Sequence, residues 1–233
     1  MSVLVTGATG GIGGAIVREL QCSGHEVITQ DLRATDALTP DIVGDLLESE
    51  TMREVVERCR QDGVTSVIAA HGIAAAAAVS QTSREFSDRA MRINTLTFIE
   101  LFDALETLIE DRDGAYVAIS SQAGLVGEAN NGAYCASKFA LVGWARKRLD
   151  DGRGRLRILC PGATETPLLE DALRGMAEAQ GIRYEDLLSA RNAQTPAGRL
   201  GSTAELARAA RLLVELDSPR LLIAPVTGGE VMY

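Results

Sequence analysis

Short runs of apolar residues alternate along the chain with segments of helical periodicity. Five runs rich in aliphatic residues predict buried strands, at residues 3–5, 26–28, 64–70, 115–120 and 156–160. Between them, apolar residues recur every three or four positions and predict helices over 11–22, 51–61, 84–110 and 133–149. This alternation predicts the α/β class, with a Rossmann-type, doubly wound parallel sheet covered by helices on both faces. Ligands of such sheets bind beyond the carboxyl ends of the strands.

The predicted elements fill the chain without a linker or an internal repeat, so we expect a single domain over residues 1–233. The segment 164–199 is longer than a usual strand-to-helix connection. It is predicted to contain one or two short helices that form a lid over the substrate site. The alanine-rich run at 74–78 follows a strand end and predicts a plain loop or a helical turn.

Composition narrows the class of protein. A net charge of −9 without any block of basic residues argues against nucleic-acid binding. The cysteines form no CxxC pair and only two histidines accompany them, so we expect no metal site and free thiols in a reducing compartment. Neither a signal-peptide pattern nor an apolar run of membrane-spanning length is found, which predicts a soluble, cytoplasmic protein that does not bind membranes.

A cluster of glycines follows the first predicted strand and opens the first helix, within residues 6–13. Glycines let the backbone turn sharply and approach a pyrophosphate, while the helix N-terminus supplies unpaired N–H groups. A Walker-type loop is excluded because no Gly-Lys-Ser/Thr follows, and a plain glycine-rich turn is the alternative. The predicted cofactor contacts in this cluster are Gly7, Thr9, Gly10, Gly11, Ile12 and Gly13.

An aspartate ends the second predicted strand, about twenty residues past the glycines, where an acidic side chain accepts hydrogen bonds from the adenosine ribose. This residue is Asp31, followed by Leu32. Its charge would repel a 2′-phosphate, so NAD is favoured over NADP, although Arg33 lies close by. Asp45 and Leu46 are candidate neighbours of the adenine, and the alternative for Asp45 is to cap the helix that follows.

A second cluster suits proton transfer at an alcohol oxygen. Ser121 follows the strand at 115–120, and Tyr134 and Lys138 lie four residues apart on one helix face. A neighbouring ammonium and the positive nicotinamide of an oxidised cofactor favour the phenolate and lower the tyrosine pKa. Taken alone, a Tyr-x-x-x-Lys pair is more often a solvated helix face.

Together, these clusters make the chain resemble the short-chain dehydrogenases/reductases over nearly its whole length. The Thr-Gly-x-x-x-Gly-x-Gly pattern is met at residues 6–13. The Ser…Tyr-x-x-x-Lys pattern is met by Ser121, Tyr134 and Lys138, with a thirteen-residue gap that selects Ser121 over Ser120. Asn94 matches the helix asparagine of the family's catalytic tetrad, and residues 161–166 match its Pro-Gly…Thr segment.

The resemblance implies a role for each residue of the tetrad. Tyr134 is the general acid/base, and Ser121 positions the substrate oxygen. Lys138 holds the nicotinamide ribose and lowers the tyrosine pKa, and Asn94 holds a water of a proton relay. The resemblance also implies cofactor contacts beyond the glycine cluster, at Ala70, His71, Gly72, Tyr134, Lys138, Pro161, Gly162, Thr164 and Thr166.

The resemblance further implies a homodimer or homotetramer, with the helix at 133–149 as the interface. The small and apolar residues of that helix that favour this are Ala136, Phe139, Ala140, Val142 and Gly143. A face that packs into the core of a monomer would have a similar composition.

The chain departs from the family after the fourth strand, where Ala69-Ala70-His71-Gly72 replaces the usual Asn-Asn-Ala-Gly. The hydrogen bonds that those asparagines give the central sheet must therefore come from elsewhere. For His71, a hydrogen-bonded loop histidine near the cofactor is favoured over a catalytic or metal-binding role. Cys135 invites a redox role beside Tyr134, but packing is the favoured interpretation.

The resulting function hypothesis is an NAD-dependent oxidoreductase that transfers a hydride between the cofactor and a secondary alcohol or ketone. One alternative is a 3-oxoacyl-thioester (acyl carrier protein) reductase, and another is a non-catalytic NAD(H)-binding regulator. A sugar epimerase is disfavoured because the chain is too short for a separate substrate domain. Apolar residues of the lid segment, namely Leu168, Leu169, Met176 and Tyr184, suggest a partly hydrophobic substrate.

Overall fold

The computed structural model describes residues 1–74, 82–128, 131–148, 155–217 and 221–231. Seven parallel strands form one sheet in the order β3-β2-β1-β4-β5-β6-β7. The strands are β1 (Ser2–Thr6), β2 (Glu26–Asp31), β3 (Ile42–Val43), β4 (Ser66–Ala69), β5 (Tyr116–Ile119), β6 (Leu156–Pro161) and β7 (Leu221–Val226). The order reverses between β1 and β4, which places a crevice at their carboxyl ends.

Helices cover both faces of the sheet, as a doubly wound fold requires. They are α1 (Gly11–Cys22), α2 (Ser49–Gln61), α3 (Arg84–Met91), α4 (Thr97–Asp111), α5 (Gly132–Arg148), α6 (Pro167–Gln180), α7 (Tyr184–Gln194) and α8 (Thr203–Glu215). One core cluster joins α1 and α8 to the sheet through residues such as Ile16 and Leu213. The opposite cluster joins α2, α4 and α5 to it through Val55, Phe102 and Leu141. The predicted single-domain Rossmann-type fold is confirmed.

Two strands lie outside the predicted runs, and both are at the edges of the sheet. β3 is only two residues long, too short to give a sequence pattern. In β7 every residue is partly exposed and Pro225 interrupts the apolar run. Proline cannot donate a ladder hydrogen bond and is confined to edge positions. The central strands are buried throughout, so their continuous apolar runs were easier to recognise.

The helix predicted over 84–110 is divided by a π-helical turn at Arg92–Leu96, which contains Asn94. The hydroxyl of Thr97 donates to the Ile93 carbonyl (2.7 Å), a contact to the preceding turn that is common where helices deform. Apolar periodicity does not reveal such a turn, because the helix continues on both sides of it. π-Helical turns occur frequently at functional sites.

Two predicted features lie partly outside the described residues. These are the alanine run at 74–78, of which only Ala74 is described, and the last residue of the helix predicted over 133–149. Of the helices that the structure describes, none is long and apolar enough to cross a bilayer. Within the same residues, no group of three His, Cys, Asp or Glu side chains comes together as a metal ion would need.

Candidate active site

The glycine cluster forms the tight connection between β1 and α1. Gly7 has a φ of +66°, and a Cβ there would lie 2.6 Å from the backbone nitrogen of His71. A Cβ on Gly13 would lie 2.0 Å from the carbonyl oxygen of Gly7. Gly10 is the N-cap and has no side chain to bond the first turn of α1, whose N–H groups and positive dipole end face outward. Gly7 and Gly13 therefore let this connection pack tightly against β4 and on itself, and the uncapped N–H groups of the first turn of α1 fit a pyrophosphate.

Asp31 lies at the carboxyl end of β2, directly against the glycine loop. One carboxylate oxygen accepts hydrogen bonds from the backbone nitrogen (2.8 Å) and the hydroxyl (2.7 Å) of Thr9. The other accepts one from the backbone nitrogen of Leu32 (2.6 Å), whose side chain is exposed beside it. The acidic group is therefore held beside the glycine loop, with both carboxylate oxygens hydrogen-bonded.

Asp45 and Leu46 lie in the loop after β3. The carboxylate of Asp45 accepts from the backbone nitrogen of Leu47 (2.9 Å) and bonds no group of α2. The helix begins at Ser49 with Glu48 as its N-cap, so the alternative of Asp45 as the helix cap is wrong. The Leu46 side chain is buried in the core rather than presented to a ligand, which leaves only its backbone for the predicted contact.

His71 connects three elements at the end of β4. Its Nδ1 lies 2.6 Å from the hydroxyl of Thr6 in β1, and its Nε2 lies 2.9 Å from the hydroxyl of Thr97 in α4. The Thr97 hydroxyl already donates to Ile93, so Nε2 must be the donor of its bond and Nδ1 the acceptor of the other. Burial, followed by the charge of Lys138, lowers the His71 pKa to about 3. The neutral imidazole thus supplies the sheet-to-helix hydrogen bonds that the missing asparagines would give.

Ser121, Tyr134 and Lys138 meet at the carboxyl ends of β5 and β6. Ser121 starts the short turn Gln122–Gly124, and its hydroxyl accepts from the backbone nitrogen of Ala123 (3.1 Å) and bonds Tyr134. Tyr134 lies in the first turn of α5. One turn later, the ammonium of Lys138 donates to the carbonyl of Ile119 (3.0 Å) and lies 5.8 Å from the centre of the Tyr134 ring.

The pKa values of Tyr134 and Lys138 differ from what the sequence led us to expect. Burial raises the pKa of Tyr134 to about 12, against the lowering effect of the hydrogen bond from Ser121, and the charge of Glu128 adds to the rise. Burial lowers the pKa of Lys138 to about 8. The lowering of the tyrosine pKa that we expected from Lys138 is therefore not found in the protein alone, because loss of solvation dominates.

Asn94 is fully buried and its amide is engaged on both sides. Its nitrogen donates to the carbonyl of Ile73 (2.8 Å) and the hydroxyl of Ser137 (3.0 Å), and its oxygen accepts from the backbone nitrogen of Ile73 (2.9 Å). A Cβ on Gly72 would lie 3.1 Å from the Asn94 oxygen and 3.6 Å from the Lys138 nitrogen. Asn94 thus fixes the chain beside Gly72 and next to Lys138.

The loop after β6 closes the site opposite the glycine cluster. The hydroxyl of Thr164 donates to the carbonyl of Gly162 (2.9 Å), and a Cβ on Gly162 would lie 2.8 Å from the backbone of Thr227. Thr166 is the N-cap of α6, and its methyl group would lie 3.0 Å from a Cβ on Gly11. Pro161 ends β6 and is buried. The segment 161–166 therefore lies against the start of α1, where it could contact the nicotinamide half of a dinucleotide.

A cavity of about 510 Å³ opens beside Ser121 and Tyr134. Helix α6 gives it an apolar wall that includes Leu168, Leu169, Leu173 and Met176. Three of the four predicted lid residues line it, but Tyr184 does not, because its ring packs against the guanidinium of Arg174 at 4.2 Å. The segment 164–199 contains α6 and α7, as predicted.

The polar wall of this cavity was not predicted. It is lined by Gln122, Glu128, Asn131, Arg191, Gln194 and Glu230. Three of these residues lie between Ser121 and Tyr134 in the sequence, and that proximity was the available signal. Glu230 follows β7, a strand that the sequence pattern did not reveal, so nothing in the sequence pointed to it.

Comparison with known proteins supports the family assignment. Residues 1–176 match the sequence model of the short chain dehydrogenase family. The chain is 34% identical over 155 residues to the inactive 2-(S)-hydroxypropyl-CoM dehydrogenase 2 of Xanthobacter autotrophicus, covering 65% of each chain. It is 28% identical over 231 residues to acetoacetyl-CoA reductase of an Acinetobacter species, covering 91% of this chain and 89% of the relative.

The fold agrees with a solved structure of the same kind. A short chain dehydrogenase family protein from Francisella tularensis matches 98% of both chains with a TM-score of 0.87 at 22% identity. At this identity the likeness shows the fold, whereas the family model covers most of the sequence. The protein therefore belongs to the short chain dehydrogenase family of oxidoreductases, which act on CH–OH or carbonyl groups with a nicotinamide cofactor.

Proposed function

We propose that this protein is an NAD-dependent oxidoreductase that interconverts a secondary alcohol and the corresponding ketone, with Tyr134 as general acid/base. The observation that carries the proposal is that Ser121 and Tyr134 line one cavity, with the ammonium of Lys138 5.8 Å from the centre of the Tyr134 ring. The same cavity is lined by Ile12 of α1 and by residues of the loop after β6, where a dinucleotide would be held.

The residues around the crevice fit NAD. The open first turn of α1 would hold the pyrophosphate, and Asp31 would exchange its bonds to Thr9 for bonds to the ribose hydroxyls. The same carboxylate would repel a 2′-phosphate. Thr164 and Thr166 would hold the nicotinamide half, which when bound supplies the hydride in reduction or accepts it in oxidation.

The side chains of the site would handle the proton. In reduction, the neutral phenol of Tyr134 donates its proton to the carbonyl oxygen while the hydride adds to the carbonyl carbon, which gives the alcohol. The hydroxyl of Ser121 holds the same oxygen beside the phenol. In oxidation, the phenolate form of Tyr134 receives the alcohol proton as the hydride leaves the carbon. Lys138, together with a water that Asn94 would hold, would pass protons between Tyr134 and solvent in either direction.

Removing one hydroxyl tests the role of Tyr134. In Tyr134→Phe, we expect kcat to fall about 10²–10⁴-fold, the usual contribution of general acid–base catalysis. Binding of NADH, followed by its fluorescence, should stay measurable. Tyr184→Phe is the matched control, because that hydroxyl lies outside the cavity, and it should behave as wild type. Turnover by Tyr134→Phe at the wild-type rate would contradict the assignment.

Cofactor choice separates the main proposal from the thioester reductase. The similarity to acetoacetyl-CoA reductase favours that second candidate, whereas Asp31 favours a cofactor without a 2′-phosphate. We expect kcat/KM to be higher with NAD(H) than with NADP(H), and Asp31→Ser to narrow the ratio by about tenfold or more. A wild-type preference for NADPH with 3-oxoacyl thioesters would support the second candidate instead.

A non-catalytic NAD(H)-binding regulator is the remaining candidate, and one relative carries the name of an inactive dehydrogenase. The complete set of Asn94, Ser121, Tyr134 and Lys138 counts against it. NADH binding without turnover of any compound in a broad alcohol and ketone panel would favour it.

We also propose that α6 and α7 act as the substrate lid and that the protein works in the cytoplasm.

We further propose that the chain forms a homodimer or homotetramer through the exposed side of α5. Phe139 is 43% exposed on α5 and Leu96 is 44% exposed nearby on the chain before α4. Val142, named for this interface from the sequence, is instead buried in the core and cannot contribute. Light scattering tests the assembly, and a monomer at working concentration would contradict it.

A further inference from the structure

The polar wall of the cavity is built around two carboxylates joined by one amide. The nitrogen of Gln122 donates to a carboxylate oxygen of Glu128 (3.0 Å) and to one of Glu230 (3.1 Å). Since both partners are acceptors, the orientation of the amide is determined. Gln122 directly follows Ser121 in the sequence. The two carboxylates are therefore hydrogen-bonded to the neighbour of the residue proposed to position the substrate.

The two carboxylates are not equivalent. Glu230 is saturated, because Arg191 donates to both of its oxygens (2.9 Å each) and Thr195 donates to one (3.0 Å). Burial raises the pKa of Glu230, but the hydrogen bonds from Arg191, Gln122 and Thr195 outweigh it and the pKa is lowered, so this carboxylate is ionised. Its charge is balanced by Arg191.

Glu128 keeps unused acceptor capacity among the residues that the structure describes. There its oxygens accept one hydrogen bond each, from Gln122 and from Asn131 (3.0 Å), whereas an ionised carboxylate offers about four lone-pair sites. Among the described residues that line the cavity, the only cation is Arg191, which forms its ion pair with Glu230 and not with Glu128. Glu128 and Tyr134 both line the cavity, so this carboxylate faces the same space as the proposed reacting group. Its charge also adds to the rise in the phenol pKa.

The wall therefore accepts hydrogen bonds and carries net negative charge, while the facing wall of α6 is apolar. A substrate with a carboxylate beside its carbinol carbon would meet Glu128 with like charge, which strongly disfavours its binding in a desolvated site. A hydroxyl in the same place avoids this repulsion and can donate to Glu128.

We infer that the substrate is a neutral polyhydroxylated compound with a compact hydrocarbon frame, whose second hydroxyl, next to the reacting carbinol, donates to Glu128. Its hydrocarbon face packs on Leu169 and Met176 of α6. This inference rests on the proposed function, since it assigns the group beside the alcohol that Tyr134 and Ser121 act on.

A series of four compounds that differ in one group tests the inference. The compounds are cyclohexanol, cyclohexane-1,2-diol, 2-hydroxycyclohexane-1-carboxylate and 2-aminocyclohexanol, each assayed for NAD reduction. We expect the diol to exceed the carboxylate by about tenfold or more in kcat/KM, and to exceed cyclohexanol through a lower KM. A kcat/KM for the carboxylate equal to that for the diol, or a kcat/KM for the amine above that for the diol, would overturn the inference.

A variant that removes the charge of Glu128 tests whether this residue causes the preference for the diol over the carboxylate. Glu128→Gln should reduce the preference for the diol over the carboxylate by about tenfold. The matched control is Glu178→Gln, an exposed glutamate on α6 outside the cavity, which should keep the wild-type preference. An unchanged preference in Glu128→Gln would also overturn the inference, and should this variant not fold, the wild-type ranking decides.

Binding of the same compounds to the protein saturated with NADH, measured calorimetrically, separates this inference from the proposed function. Turnover of cyclohexanol together with a preference for the carboxylate would leave the proposed function standing and refute only the neutral polyol. Absence of turnover with the diol bound most tightly would refute the proposed chemistry and support the substrate class. Binding of none of the four, or equal binding of the diol and the carboxylate, would overturn the inference.

Discussion

The exchange His71→Phe tests whether this histidine replaces the hydrogen bonds of the missing asparagines. Phenylalanine keeps an aromatic ring in the same place, so the contact with Phe98, whose ring centre lies 4.0 Å away, is retained. What is lost is the pair of nitrogen atoms that join Thr6 of β1 to Thr97 of α4. The variant therefore isolates the polar part of the interaction.

The loss of stability expected for His71→Phe can be estimated from the hydrogen bonds that Thr6 and Thr97 lose. Thr97 keeps its donation to Ile93 and loses only one accepted bond. Thr6 is fully buried and its hydroxyl loses the acceptor that it donates to. A buried hydroxyl left without a partner costs about 1–3 kcal/mol, and we expect the free energy of unfolding to fall by that amount. For a chain of this size, Tm should fall by about 2–4 °C for each kcal/mol.

Urea unfolding of a double-mutant cycle measures the coupling. His71→Phe with Thr6→Val removes both partners, so we expect the pair to be less destabilised than the sum of the single variants by about 1–2 kcal/mol. Thr65→Val is the control, because its hydroxyl bonds Ser2 at the opposite end of the sheet and should combine additively with His71→Phe. Additivity of Thr6→Val and His71→Phe within about 0.5 kcal/mol would refute the reasoning.

Three further predictions follow from the pKa shifts and from a buried charge. The folded-state pKa of His71, about 3, lies below its ordinary 6.5, so the unfolded chain binds the proton first as pH falls. Between pH 7 and 5, the wild type should lose about 2 kcal/mol of unfolding free energy that His71→Phe retains, and equal pH dependence would contradict this. Because the pKa of Tyr134 is raised to about 12, the rate of alcohol oxidation should rise from pH 7 to 10 in steady-state assays, whereas carbonyl reduction should not need the higher pH. Arg157 is buried and donates to the carbonyls of Leu213 (2.5 Å) and Leu216 (2.6 Å), so Arg157→Ala should cost about 3–5 kcal/mol in urea unfolding. Arg155→Ala, which removes surface ion pairs, should cost less than about 1 kcal/mol.

The sequence was sufficient for features that depend on local pattern and order along the chain. Alternating strands and helices gave the fold, because parallel strands buried on both faces require continuous apolar runs. The glycines, Asp31 and Ser121 could be placed because each follows a strand end, and those ends share one edge of the sheet. Tyr134 and Lys138 lie within α5 and were assigned by their four-residue spacing and by the family resemblance.

Features that depend on tertiary packing were not accessible in this way. Glu230 reaches the cavity only because β7 adds to the far edge of the sheet, and its contact with Arg191 joins residues 39 positions apart. The π-helical turn leaves no periodic signal. Tyr184 was assigned to the cavity by hydrophobicity, yet its ring packs against the guanidinium of Arg174, an exposed residue of α6.

The raised pKa of Tyr134 bears on the direction of the proposed reaction. Tyr134 and Lys138 are neighbours, and burial favours the neutral form of each, which brings the pKa of the lysine to about 8 and that of the tyrosine to about 12. As pH rises, the first proton to leave the pair therefore comes from Lys138 and not from the phenol. In the proposed reaction, a phenol that keeps its proton can donate it to a carbonyl oxygen, which favours reduction. Loss of that proton, which the proposed oxidation needs, is favoured by high pH and by an added positive charge next to the phenol. An oxidised nicotinamide carries that charge whereas a reduced one does not. The protonation state of Tyr134 would in this way follow the redox state of the cofactor, with Glu128 opposing the loss of the proton in both directions.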